Sequence, residues 1–333
     1  MKSDVSPELA ALLRAVADMA NVPQHPHPRK GDRRDGSVYS PTPEIITAVQ
    51  VALITGRPLL LAGPPGCGKS SLAGFVARTL DFAYLEFVVT DESSPQDLLW
   101  NVDVIARLRD AQLATAGEKV PPLHDYIDPG PLWWALNPAS AARRGADDDV
   151  ALSRPCSMPV HLKDYEPQGA GAVLLIDEID KAESSFCNGL LVPLGSRQFH
   201  VTDIDETVEN GADRAPESPL VIITTNGERD LPDAFVRRCV VLPVEGPDAE
   251  RLEEIARLHF PDVSGDSALS ARVRELAGRF TKSAKDHAST AEFLDLVSVM
   301  ITFGGDSDSD QWQLVERLVV EKSSVRRNLF TSW

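Results

Sequence analysis

Apolar residues recur along this chain in two different periods. Over the first two thirds, short runs that are apolar at nearly every position, residues 58–62 (PLLLA), 172–176 (AVLLI) and 220–225 (LVIITT), alternate with stretches of helical period such as residues 45–55 and 70–80. A strand that is apolar on both faces has to be buried between helix layers. Residues 84–89 and 240–244 read as two further strands. Strands alternating with helices imply a parallel, doubly wound α/β sheet. After Gly246-Pro247 the pattern changes to a helical period throughout. DAERLEEIARLHF, SALSARVRELAGRF, TAEFLDLVSVMITF and DQWQLVERLVVEK all carry apolar residues at helical spacing, three of them with acids near their starts, which predicts a separate all-helical domain.

Local signals set the boundaries. Ser6-Pro7-Glu8 supplies an N-cap, a first-turn proline and an acid for a short N-terminal helix, and Thr42-Pro43-Glu44 repeats the device for a helix that Gly56 stops. Between them, residues 21–43 are rich in Pro, His, Arg and Gly and read as a linker. His25 and His27 sit among prolines, so an exposed coil is favoured over a metal site. Residues 97–116 read as helical and residues 145–171 as irregular. The expected organisation is an N-terminal helix and linker over 1–40, an α/β core over 41–245 with an insertion around 137–171, and a helical domain over 246–333.

Composition adds limits. The chain has 333 residues, 43% hydrophobic and 25% charged, so a folded core is expected rather than a disordered or membrane class. Asp and Glu outnumber Lys and Arg by 50 to 33, a net charge of -17, which makes nucleic acid an unfavourable partner. The basic cluster Arg29, Lys30, Arg33 and Arg34 has Asp residues interleaved and reads as a solvated linker. Cys67, Cys156, Cys187 and Cys239 are widely spaced, without a C-x-x-C pattern or a secretory leader, so reduced thiols in the cytoplasm are expected. No apolar run approaches the roughly 18 residues that a membrane span needs.

The candidate chemistry begins at residues 63–70, GPPGCGKS, a match to G-x-x-x-x-G-K-[ST] lying between an apolar strand and a helix. Gly66 and Gly68 let backbone N–H groups turn toward phosphate, Lys69 suits the β and γ oxygens, and the Ser70 hydroxyl suits Mg²⁺. The following helix adds a positive N-terminus. AVLLIDEID delivers Asp177 and Glu178 at the carboxyl end of a buried strand, the edge where ligands bind in such sheets. Asp177 is suited to the Mg²⁺ shell and Glu178 to orienting and deprotonating an attacking water. Asn226 ends LVIITTN, where its amide can bond the water or a γ-phosphate oxygen, although Asn226-Gly227 is also an ordinary turn dipeptide. Arg237 and Arg238 in LPDAFVRRC are either surface residues or partners of an anion, because two buried arginines would be costly.

In this order GPPGCGKS, VLLIDEID, ITTN and DAFVRRC resemble the Walker A, Walker B, sensor 1 and arginine-finger elements of an AAA+ ATPase. GRPLLLAGPPGCGKSSLA, PGPLWWAL and LLVPLGSRQFHV make the MoxR-like branch the nearest resemblance, over residues 41–244. It implies that Gly63, Pro64, Pro65, Gly66, Cys67, Gly68, Lys69, Ser70 and Ser71 bind nucleotide and that Ser70 and Asp177 serve Mg²⁺. It assigns hydrolysis to Glu178 with Asn226, and the finger to Arg238 or Arg237. The helical domain becomes a lid, although HASTAEFLDL lacks the arginine often found there and Lys285 is only a distant substitute. ATP is preferred to GTP by the resemblance, since no N-K-x-D stretch is present. The resemblance implies a homo-oligomer, most often a hexameric ring or spiral, that remodels or activates a separately encoded partner protein, with a bacterial conflict or stress system as one setting. The alternative is an ATP-dependent oligomerising switch or scaffold with slow turnover.

Overall fold

The helix that precedes the first strand starts as its sequence dictates. Thr42 Oγ1 accepts the Ile45 N–H at 3.3 Å, Pro43 occupies the first turn, and Gly56 closes the helix in the left-handed conformation at φ 63°, where any side chain would be strained. These observations come from a computed structural model that describes residues 6–22, 34–114, 120–162, 164–211, 218–263, 268–283, 289–303 and 310–319. His25, His27, Arg29, Lys30, Arg33 and Lys285 fall outside the described residues.

In chain order the strands are β1 (Leu59–Ala62), β2 (Ala83–Val88), β3 (Trp100–Val102), β4 (Ile127–Pro129), β5 (Ala172–Asp177), β6 (Gln198–Val201), β7 (Glu206–Glu209), β8 (Leu220–Thr225) and β9 (Val240–Pro243). The helices are α1 (Pro7–Ala17), α2 (Pro43–Thr55), α3 (Lys69–Leu80), α4 (Pro95–Leu99), α5 (Val104–Leu113), α6 (Pro131–Leu136), α7 (Pro138–Ala142), α8 (Ser184–Ser196), α9 (Asp233–Val236), α10 (Ala249–His259), α11 (Ala268–Ser283), α12 (Thr290–Phe303) and α13 (Asp310–Val319). Contacts divide the described residues into two units, one drawn from 1–22, 41–62 and 76–242, the other from 23–40, 63–75 and 243–333.

The first unit is built on a five-stranded sheet in the order β2-β5-β8-β1-β9. The β2–β5, β5–β8 and β1–β8 pairings are all parallel. β5 and β8 are buried at all six positions, whereas β9 alternates between intermediate and exposed, as an edge strand can. One register decides the chemistry. Ile176 pairs with Ile223, so the residues that follow, Asp177 and Thr224, emerge side by side at the carboxyl edge.

Two parts of this unit depart from the sequence reading. Residues 97–116 are not one helix. They divide into the end of α4, the short strand β3 and then α5, because Trp100–Val102 pair antiparallel with Ile127–Pro129. Trp100 also stacks on Phe199 with centroids 5.9 Å apart and donates from Nε1 to Asp203 at 2.8 Å, contacts that outweigh local helical preference. The β6–β7 hairpin after α8 is a further element that the helical and strand periods did not reveal.

The irregular stretch over 145–171 is pinned by polar groups. Asp125, 2% exposed, accepts the Ser153 and Arg154 N–H groups and pairs with Arg144. Tyr165 donates to the Ala77 carbonyl at 2.9 Å, and Gly169 N–H to the Asp81 carbonyl at 2.9 Å. Loops without regular ladders need such partners for their backbone groups.

The second unit includes α10 to α13, which close on Leu252, Ala256, Leu276, Phe280, Phe293, Val297, Met300 and Trp312. Glu253 is held between Arg274 and Arg257, and its hydrogen bonds from Arg274 and their charges hold its carboxyl below the usual range. No helix among the described residues is long and apolar enough to cross a membrane.

Candidate active site

The acidic half of the site is organised around one threonine. Thr224, 1% exposed at the end of β8, donates from Oγ1 to Asp177 Oδ1 at 2.6 Å and accepts the Glu178 N–H at 2.9 Å. A hydroxyl has one proton and two lone pairs, so the bond to Asp177 commits the proton and fixes which way the carboxylate faces. Asp177 itself is 2% exposed. Glu178 adopts φ 59° and ψ 48°, a left-handed conformation costly for a side chain with a Cβ and found mostly where function or tight turns demand it. That turn redirects the chain so that Glu178 is partly exposed while its neighbours on both sides are buried.

Two groups hold the Glu178 carboxylate. Asn226 Nδ2 lies 3.4 Å from Oε1, and Lys181 Nζ lies 2.6 Å from Oε2. The hydrogen bond and charge of Glu178 raise the Lys181 ammonium above its ordinary value, so Lys181 is charged throughout the neutral range. The loop carrying Asn226 is itself tied down. Asp180, 1% exposed, accepts the Asn226 N–H at 3.0 Å and the Glu228 N–H at 2.8 Å on Oδ2. Arg229 donates to the Lys181 carbonyl at 2.7 Å, and the Gly227 N–H to Thr225 Oγ1 at 3.1 Å.

Arg237 and Arg238 follow α9, and both are exposed. Arg238 donates to the Ala234 carbonyl at 2.7 Å, which leans its guanidinium back along its own helix.

The Gly-rich turn over residues 63–70, the candidate phosphate cradle, is held chiefly by backbone. Gly66 and Gly68 have φ of 77° and 90°, values that glycine adopts without strain. A Cβ on Gly63 would lie 2.0 Å from the Val244 carbonyl oxygen, and one on Gly66 2.2 Å from Ser289 Cβ. Gly66 also accepts the Thr290 N–H at 2.9 Å, so the start of α12 is bonded directly to the cradle. Lys69 is 5% exposed, and its ammonium donates to the Gly63 and Pro64 carbonyls at 2.7 Å each. The Lys69 ammonium lies 3.8 Å from Cys67 Sγ, yet burial outweighs that charge and pushes the thiol up. Pro65 lies within the same loop, and Ser70 and Ser71 lie in the first turn of α3. Tyr39 faces Gly68, with Cε2 3.4 Å from where a Cβ would stand, and packs on Phe75 at 5.5 Å.

Thr224, Asp180, Lys181, Ser289 and Tyr39 were not singled out by sequence. Asp180 lies within the quoted DEID, and Thr224 is one of two hydroxyls in an otherwise apolar strand, a signal that marks a buried polar role. Lys181 meets Glu178 three residues away, a spacing that carries no motif, and Ser289 and Tyr39 depend on contacts distant in the chain.

A parallel sheet, a Gly-rich turn running from a strand into a helix, and an acid pair at the end of another strand of that sheet together define a P-loop nucleotide-binding fold. The sequence pattern of the AAA domain (dynein-related subfamily) matches residues 58–239, and the chain belongs to that family. Among solved structures the chain is similar to two single-site variants of Thermotoga maritima RuvB. One is 14% identical with a TM-score of 0.40, over 82% of this chain and 66% of that one. The other is 15% identical with a TM-score of 0.42, over 83% and 68%. A proposed ATPase from Cytophaga hutchinsonii is 15% identical with a TM-score of 0.44, over 89% of this chain and 82% of its own. The chain thus spans about two thirds of the length of the RuvB structures. No curated protein matches it.

Proposed function

We propose that this chain is a MoxR-like AAA+ ATPase that hydrolyses ATP to ADP and phosphate and uses the cycle to remodel or activate a separately encoded partner protein in the cytoplasm. The observation that carries the reading is the grip on Glu178 by Asn226, both at the carboxyl edge of adjacent parallel strands whose residues Asp177 and Thr224 are bonded to each other. Along the chain, β1 ends at Ala62 and Gly63, the first residue of the cradle, follows it.

The roles follow from chemistry. The residues from Gly63 to Ser71 cradle the phosphates, and Lys69 exchanges its carbonyl partners for β and γ oxygens. The donor set fits Mg²⁺, because a hydroxyl (Ser70) and a carboxylate (Asp177) are hard oxygen ligands, and this ion takes only one or two carboxylates beside phosphate and water. Magnesium would be held by Ser70 and Asp177, and would neutralise charge on the β and γ oxygens. Glu178 accepts the proton of the attacking water as oxygen attacks the γ-phosphorus and the bond to the β-γ bridging oxygen breaks. Asn226 orients that water without adding negative charge. Arg238, or Arg237, stabilises the transferring phosphoryl group of a neighbouring subunit, which implies a homo-oligomeric ring or spiral, most often hexameric.

The Glu178–Lys181 ion pair favours a second reading. A base held by a lysine must be released before it can act, which suits a switch or scaffold that assembles on ATP and turns over slowly.

Mixing variants tests the proposal. Arg238→Ala has an intact acid pair without a finger, and Glu178→Gln has a finger without a base. Each alone is expected to be inactive, with Mg²⁺-dependent phosphate release returning only in the mixture. Full activity of Arg238→Ala and of Arg237→Ala, or full activity as a demonstrated monomer, would contradict the trans-finger reading.

A further inference from the structure

We infer that Asp180 is a positioning residue for hydrolysis: it sets the reach of the Asn226 amide to the Glu178 carboxylate by tying the loop after β8 to the turn after β5. The inference rests on the ATPase reading above.

Asp180 lies two residues beyond Glu178 in a single tight turn, Ile179–Lys181, closed by a hydrogen bond from the Lys181 N–H to the Glu178 carbonyl at 3.0 Å. The position of its carboxylate is therefore coupled to that of Glu178. Its Oδ2 takes two backbone donors from the opposite loop, Asn226 at 3.0 Å and Glu228 at 2.8 Å. An anionic acceptor shared by two N–H groups makes stronger bonds than a neutral one. The distance it controls is critical. Asn226 Nδ2 lies 3.4 Å from Glu178 Oε1, and beyond about 3.5 Å such a pair is no longer a hydrogen bond. A shift of a few tenths of an ångström in the loop would break it.

Stability alone is a poor account of the residue. The side chain is 1% exposed, and its other oxygen, Oδ1, is buried with no hydrogen-bond partner among the described residues. A buried carboxylate with an unsatisfied oxygen is costly. Its charge is also felt nearby. Burial, with a contribution from Asp180, pushes the Cys187 thiol up to about 11. A neutral amide would serve a purely structural turn at lower cost, so the charge is retained for the stiffness it gives the two bonds to the Asn226 loop.

The test measures ATP turnover by the full-length protein for Asp180→Ala and for the isosteric Asp180→Asn, each alone and combined with Asn226→Ala. Asn keeps an acceptor oxygen for the two N–H groups and loses the charge, so kcat is expected to fall about threefold. Ala loses both bonds and is expected to cost about thirtyfold, with KM for ATP within about twofold of wild type in both cases. In the Asn226→Ala background both effects should vanish, because Asp180 then has nothing to position. A purely structural residue would lower kcat by the same factor in either background, or raise KM in parallel, and either result overturns the inference. Asp180→Asn carries the same comparison if Asp180→Ala does not fold. Wild-type turnover with both variants unaffected overturns the role of Asp180 alone. A wild-type protein that binds ATP and releases no phosphate overturns the ATPase reading and this inference together.

Discussion

The phosphate cradle and the acid pair are built in contrasting ways. Around residues 63–70 the shape comes from backbone: glycines in left-handed conformations, carbonyls facing the Lys69 ammonium, and a backbone bond from Thr290 to Gly66. Around Asp177 and Glu178 it comes from buried side chains, Thr224 and Asp180, that hydrogen-bond across from one strand end to the next. On the proposed function, a cradle made of backbone recognises what all nucleotides share, their phosphates. An acid pair aimed by side chains can be tuned, because one oxygen displaced changes the geometry at the attacking water. Binding and turnover should therefore respond to different substitutions.

The largest separation is expected from Glu178→Gln. The amide keeps the bond to Asn226 and cannot take a proton, so turnover should fall by about 10² to 10⁴ with ATP affinity unchanged, as single-turnover phosphate release and equilibrium binding would read. A parallel loss of affinity would mean that Glu178 belongs to the cradle.

Thr224→Val comes next. It is nearly isosteric and removes one donor to buried Asp177 and the acceptor of the Glu178 N–H, at a cost of about 1–3 kcal/mol. Turnover should drop about tenfold to a hundredfold, with the midpoint of the Mg²⁺ titration moved to higher concentration and affinity for metal-free nucleotide retained.

Gly66→Ala attacks the other region. Its Cβ would meet Ser289 at 2.2 Å in a backbone with φ 77°, a strain of about 1–3 kcal/mol. Nucleotide affinity should weaken by about tenfold while kcat at saturation changes little, measured by calorimetry and steady-state rates.

Lys181→Met is the smallest. The pair is partly exposed, at 41% and 31% of the side chains, and solvent screening leaves such bridges about 0–1 kcal/mol. Melting should barely move, and a rise in turnover of about twofold to fivefold would measure how far the lysine restrains Glu178. Because Glu178 raises the Lys181 ammonium, the contribution of the bridge is present at neutral pH and is lost as pH rises through that raised value.

The same contrast governs what the sequence reveals. The cradle is legible because its requirements are local: two glycines, a lysine and a serine at fixed spacing between a strand and a helix. Asp177 and Glu178 are legible as a pair for the same reason. The bond from Thr224 to Asp177 is not, since it exists only in the register that pairs Ile176 with Ile223, and periodicity fixes the faces of a strand but not its neighbour. Trp100–Val102 carry no strand signal in the sequence, because three residues are too few to display a strand period and their partners lie at Ile127–Pro129. The parallel sheet and the helical C-terminal region were evident because buried strands and amphipathic helices repeat over many residues.

Lys69→Ala compared with Glu178→Gln tests the division of labour most directly, by measuring equilibrium ATP binding and phosphate release for both variants under identical conditions. Lys69→Ala is expected to abolish binding, and with it turnover, whereas Glu178→Gln should bind as wild type and release almost no phosphate. ATP hydrolysis at near-normal rates by both variants would show that the cradle and the acid pair are not the site.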